Sequence, residues 1–214
     1  MTSVNTKSRS YRSARREEQL RGTRRAILDA ARRLFRERGY DKTTISAIAS
    51  GAAVAEPTVY KHFGSKRAVL LALIDDTINV RVPPRLETVL EQASPRGRLA
   101  ALARMCVDLA SAAPDVVSVT LSAGNSDPQL GEMVRQMAEG RRRSAALIAR
   151  SLSTDGALRA TCSEEQARDV MFALASPDLY DVLVTRFGWS DSQFEAWLSE
   201  TLETSLLKST TAQT

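Results

Sequence analysis

Between positions 57 and 66 the chain reads Pro57-Thr58-Val59-Tyr60-Lys61-His62-Phe63-Gly64-Ser65-Lys66. Threonine and lysine can hydrogen-bond base edges or phosphate oxygens, and tyrosine and histidine carry a polar tip on a flat ring. At about 100° per residue, turning Val59 and Phe63 inward leaves Pro57, Thr58 and Lys61 outward, with Tyr60 and His62 on the flanks. Lys66 falls in the first turn of whatever helix follows, beside its unpaired N–H groups. This chemistry reads a polyanion and turns nothing over. His62 is the single histidine, and no adjoining acid, thiol or second histidine completes a catalytic or metal constellation.

Such a face needs elements to hold it. Over 23–39, Ile27, Ala31, Leu34 and Phe35 recur at i, i+4, i+7, i+8, opposite Arg25, Asp29, Arg32 and Arg36, and Gly39 is a stop signal. Thr43 or Thr44 can cap a second helix carrying Ile45, Ile48, Ala49 and Ala52. Pro57 opens a third, brief helix that Gly64 ends before Ser65 caps the next. Two short helices joined by a tight turn and braced by an amphipathic one are the parts of a helix-turn-helix. Glu56 either complements the dipole of the brief helix or accepts from cytosine N4.

Charge divides the chain the same way. Residues 1–67 hold 16 Lys/Arg against 6 Asp/Glu, and the remainder holds 14 against 19. Residues 1–20, rich in Ser and Arg without apolar periodicity, read as a flexible basic arm that either touches the minor groove or phosphates or only solubilises the chain. No window approaches the roughly 20 apolar residues of a membrane span, and Cys106 and Cys162 supply neither a disulfide framework nor a zinc site. A cytoplasmic, non-enzymatic protein with no membrane partner and no cofactor is expected, for lack of a nucleophile elbow, phosphate loop or metal-ligand spacing. Duplex RNA, with its deep and narrow major groove, suits the brief helix poorly.

The stretch TTISAIASGAAVAEPTVYKHFGSKRAVLLALID resembles the DNA-binding domain of the TetR family of bacterial transcriptional regulators. Tyr60 through Lys66, with Ala68, Val69 and Leu70, match the recognition-helix signature of that family. The resemblance implies an all-α protein with a three-helix DNA-binding domain, a C-terminal effector-binding and dimerisation domain, and repression relieved by a small molecule. Carried over by position, it gives Thr44 a phosphate contact, gives Thr58, Tyr60, Lys61 and His62 base or phosphate contacts, and makes Lys66 a phosphate clamp. Two departures stand out. Ala53 replaces a turn glycine, a substitution worth about 1 kcal/mol if φ is positive there, and Ala55 replaces a hydroxyl-bearing residue.

The domains are expected at 1–20 (arm), 21–67 (helix-turn-helix) and 68–214 (helical body). Pro83-Pro84 breaks the body's first helix, Ser94-Pro95 and Asp127-Pro128 open two more, and Pro114 separates a piece that is apolar enough for a strand but, having no strand partner, is expected to be a helix. The run Arg141 to Arg143 reads as a solvated face. Ser163/Gln166 and Ser190/Gln193 form capping boxes, Ser176-Pro177 is a cap, and Trp189 with Phe194 has hydrophobic-staple spacing. Met105, Leu109, Leu121, Met133, Met137 and Phe172 are candidate effector-pocket liners. The last apolar stripe, Phe194, Trp197, Leu198 and Leu202, with Met171 and Leu183, is the candidate surface for a homodimer that would set two recognition helices on one double-stranded operator.

Overall fold

Ile27, Ala31, Leu34 and Phe35 are all buried, as their spacing requires. In the computed structural model, which describes the backbone of residues 5–81 and 86–209 and the side chains of 15–76 and 86–209, every extended element is a helix. Among the described residues β pairing is confined to an isolated antiparallel bridge between Leu158 and Leu207. The chain packs as two units, Met1–Asp75 and Asp76–Thr214.

The first unit contains α1 (Asn5–Lys42), α2 (Ile45–Gly51), α3 (Glu56–Phe63) and the opening turns of α4 (Lys66–Arg81). Its core joins the α1 stripe to Ile48 and Ala49 of α2, Val59 of α3, and Val69, Leu70, Leu73 and Ile74 of α4. Those α4 residues carry the unit on to Asp75, beyond the boundary expected after residue 67. Gly39, at φ 76° and ψ 167°, breaks α1 where the stop signal lies. The Thr43 hydroxyl donates to the Gly39 carbonyl at 2.8 Å and is 3.3 Å from that of Leu34, so the carbonyl at the break is not left without a donor.

The segment expected to be a flexible arm is instead helical from Asn5 onward, continuous with α1, and residues 1–4 lie outside the described residues. Missing apolar periodicity means that the segment has nothing to bury; it does not forbid a helix. Once the packed turns of α1 exist, adding residues escapes the nucleation penalty, and Arg, Glu and Gln propagate a helix well.

The second unit contains α5 (Leu86–Leu90), α6 (Pro95–Ala112), α7 (Pro114–Ala123), α8 (Pro128–Thr154), α9 (Glu164–Leu174), α10 (Pro177–Tyr180), a π-helical turn (Asp181–Arg186) and α11 (Asp191–Leu206). The boundaries follow the caps: Ser94 Oγ accepts from the Gly97 amide, Asp127 Oδ1 from those of Gln129 and Leu130, and Ser176 Oγ from that of Leu179. Both capping boxes are closed. The apolar piece after Pro114 is helix α7, and the Pro83-Pro84 break lies outside the described residues.

Helix α8 packs on α9 and α6 packs on α11, around a core of Leu99, Cys106, Ile148, Leu152, Met171 and Phe194. Trp189 meets Trp197 edge to face at 5.9 Å, and Tyr180 meets Phe194 in the same way at 5.2 Å. Buried Arg98 is held by the Gln92 carbonyl, the Ser151 hydroxyl and the Asp155 carboxylate, which together tie the start of α6 to the end of α8. At the α7–α8 corner a Cβ added to Gly131 would stand 2.7 Å from the Gly124 carbonyl oxygen, closer than real contacts allow. Among the described residues no single helix is long and apolar enough to cross a membrane; α6 and α7 pass only as a pair, across an 84° bend.

Candidate nucleic-acid interface

Of the two threonines able to cap α2, Thr44 does so. Its hydroxyl oxygen accepts from the Ala47 amide at 3.1 Å, and the side chain stays exposed. An oxygen used as acceptor leaves its proton available for a phosphate oxygen. Behind it, Arg33 of α1 reaches the Gly51 carbonyl at 3.4 Å, where α2 ends.

The turn into α3 keeps a left-handed residue although no glycine is present: Ala53 has φ 54°. It is the one non-glycine residue with positive φ among the described residues. The N-cap, Ala55, makes no side-chain cap hydrogen bond, so Pro57, which needs no N–H acceptor in the first turn, and Glu56, which complements the helix dipole, begin α3. Gly64, at φ 78°, ends it, and the Ser65 hydroxyl receives the Ala68 amide to begin α4.

On α3 the inward and outward residues separate sharply. Val59 is 0% exposed and Tyr60 is 51% exposed, while Pro57 and Lys61 are exposed and Thr58 and His62 half-buried. Phe63 is only half-buried, and the Arg24 guanidinium covers its ring at 5.5 Å. Thr58 therefore points outward less fully than the wheel predicts, and Tyr60 more.

Lys66, expected to clamp a phosphate, is engaged within the chain. Its ammonium lies 2.8 Å from the Tyr40 carbonyl and 3.4 Å from that of Asp41, and it sits 4.2 Å from the centroid of the Tyr40 ring. Carbonyls exposed by the break at Gly39 draw the cation onto the end of α1, a pairing of residues far apart in sequence that local spacing does not reveal.

A family model described as bacterial regulatory proteins, tetR family, matches residues 27–73. The HTH-type transcriptional regulator BetI of Rhizobium meliloti (strain 1021) is 31% identical over 149 residues, which cover 69% of this chain and 70% of that protein. The chain belongs to the TetR family. Its fold agrees: the structure of NalD, the secondary repressor of the MexAB-OprM multidrug efflux pump in Pseudomonas aeruginosa, superposes with a TM-score of 0.71 at 20% identity, covering 90% of this chain and 99% of that one. A transcriptional regulator from Saccharomonospora viridis, solved in complex with choline, gives 0.68 at 22% identity, covering 86% and 97%.

As a TetR-family member the chain is a DNA-binding transcriptional regulator of the helix-turn-helix type and not an enzyme. Among the described residues no group of His, Cys, Asp and Glu is placed to hold a metal ion.

In this TetR-family chain the second unit redistributes the remaining candidates. Met105, Leu109, Leu121, Met133 and Phe172 are half-buried, and Met137 is 41% exposed. Of the six proposed for a dimer surface, Met171, Phe194, Leu198 and Leu202 lie in the core of the protomer and offer nothing to a second copy. The apolar stripe of α11 is satisfied by its own unit, chiefly α6, and only Leu183 and Trp197 reach the margin of that core.

Arg141 does not lie on the solvated face expected for the run Arg141 to Arg143. It is half-buried, its guanidinium lies 4.9 Å from the Phe172 ring centroid, and it donates weakly to the Ala175 carbonyl at 3.4 Å. The signal was present in the spacing: Arg141 shares the i, i+4, i+7, i+11 stripe of Ala145, Ile148 and Leu152, all buried, whereas Arg142 and Arg143 are exposed.

Proposed function

We propose that this regulator is a dimeric repressor that binds a palindromic operator through α3 and leaves it when a small molecule occupies the second unit. The observation that carries the reading is the two-sidedness of α3: Val59 anchors it in the core while Tyr60, Lys61 and Thr58 remain available on the far side. A short rigid helix with donors on one face suits the major groove of B-DNA, and two copies about one helical turn apart would read two half-sites. Thr58, Tyr60, Lys61 and His62 contact bases or phosphates, Thr44 donates to a phosphate, and Lys66 holds α3 and α4 against α1. The first unit acts as the DNA-binding domain and the second as the effector and dimerisation domain.

Repression and release by a ligand are supported by kinship: NalD is named as a repressor, and the S. viridis regulator was solved with choline bound. Selection of genomic fragments by the purified full-length protein, repeated with a metabolite panel, tests this reading. A bound fragment with inverted half-sites, occupied by an even number of chains and released by at least one compound, is the expected result. Equal affinity for unrelated duplexes at elevated salt would overturn it.

A further inference from the structure

We infer that Arg141, stacked on Phe172, is the recognition point for the carboxylate of an acidic, apolar-bodied effector bound in the second unit. The inference rests on the effector reading above and names the chemical class that would be sensed. Arg141 is half-buried on α8, yet it forms no ion pair with a carboxylate among the described residues. Its protein contacts are one long hydrogen bond to the Ala175 carbonyl and the face of Phe172. A guanidinium has five N–H donors, so most of its hydrogen-bonding capacity is directed to nothing in the chain.

The surroundings supply no compensating anion at contact distance. Cys106 on α6 is nearby, but burial pushes its thiol up to about 11, so it stays neutral at physiological pH. Asp178 on α10 is close enough to be felt electrostatically, but it is exposed and forms no ion pair with Arg141. Burial lowers the guanidinium's own pKa from its ordinary value, so the charge is held in a place that penalises it. Partly desolvated, unpaired charge is unfavourable until an anion arrives, and the planar fork of arginine matches a carboxylate with two parallel hydrogen bonds.

Apolar side chains near Arg141 would receive the apolar part of such a ligand. Met137 lies one turn before Arg141 on the same helix face and is 41% exposed, and Phe172 is half-buried beneath the guanidinium. Met105, next to Cys106 on α6, is half-buried against the same core. A cation flanked by accessible apolar side chains selects an amphiphilic acid over a polar one. The same cation opposes a quaternary ammonium.

Titration calorimetry on the full-length protein would compare octanoate with 1-octanol and octyltrimethylammonium, and 4-phenylbutyrate with 4-phenylbutan-1-ol. At least one acid is expected to bind about tenfold or more tightly than its alcohol, with the ammonium weakest. Arg141→Met should bring acid and alcohol to equal affinity, while Arg141→Lys keeps the charge, loses the fork and gives an intermediate value. The lysine variant and the wild-type acid-to-alcohol ratio decide the matter if the methionine variant does not fold. The inference is overturned if no acid binds, if acid and alcohol bind alike, or if the variants bind the acid as wild type does and Arg141 merely caps α9. Operator release separates the two readings. Release by the ammonium alone leaves the repressor standing and removes this inference, whereas Arg141-dependent binding without release removes the effector reading.

Discussion

The Lys66 ammonium lies 2.8 Å from the Tyr40 carbonyl oxygen and 4.2 Å from the centroid of the same residue's ring. One cation thereby closes the end of α1 and fixes the start of α4, the helix that follows the reading helix. Lys66→Met should lower the stability of the first unit by about 1–2 kcal/mol, the scale of a charged hydrogen bond on a half-buried group. Affinity for every duplex should fall by a similar factor. Because the ammonium is directed at carbonyls, the slope of log affinity against log salt should stay at the wild-type value, and a loss of about one would restore Lys66 to the phosphates.

Ala53 holds φ 54°, a region where a side chain costs about 1–2 kcal/mol and glycine almost nothing. Glycine also loosens the unfolded chain, which returns about 0.4–1 kcal/mol of that difference. Ala53→Gly should therefore stabilise the protein by about 0.5–1 kcal/mol, read as a higher denaturant midpoint at unchanged slope, with operator affinity preserved. A lower midpoint would mean that the turn tolerates its alanine without strain.

On α3 the exposed residues divide by their chemistry. Lys61→Ala should reduce the salt slope by about one, whereas Thr58→Ala and Tyr60→Phe should leave the slope alone and alter preference at single base pairs by about 1–3 kcal/mol. Binding to a library of operator variants at two salt concentrations separates the effects. Identical losses across the library for all three variants would refute the division.

Alkali should weaken the second unit. Burial, and the hydrogen bond from the Tyr180 hydroxyl to Asp191 at 2.5 Å, push the tyrosine pKa well above its ordinary 10.0, and burial pushes Cys106 from 9.0 to about 11. In both cases the folded state keeps a proton that the unfolded chain loses. Their stabilising contribution is complete below pH 9 and declines as pH rises through the range from 9 upward. Tyr180→Phe should remove the part of the decline that begins near pH 10, read as denaturant midpoints between pH 8 and 11. An unchanged profile would show that the phenol ionises equally in both states.

The helix-turn-helix was legible because local rules act without competition there: a stripe at 3.6-residue spacing, Thr44 and Ser65 as caps, Gly39 and Gly64 as stops. In the second unit Ser94, Asp127, Ser163 and Ser190 announced their helices for the same reason. What could not be read was who meets whom. Phe194, Leu198 and Leu202 form a face that wants a partner, and sequence cannot distinguish a neighbour in the same chain from one in another. Arg141 was legible in principle, since it continues the stripe of Ala145 and Ile148, but its membership of a basic triplet hid it. The helical Asn5 to Leu20 segment was hidden for the opposite reason, because a polar stretch with nothing to bury can still extend a helix already nucleated by packed turns.

Gly131 sits against the Gly124 carbonyl so tightly that the corner has no slack for one added carbon. Any side chain at position 131 would force the backbone of one helix end to give way, so the bend keeps its present shape only while that position carries none.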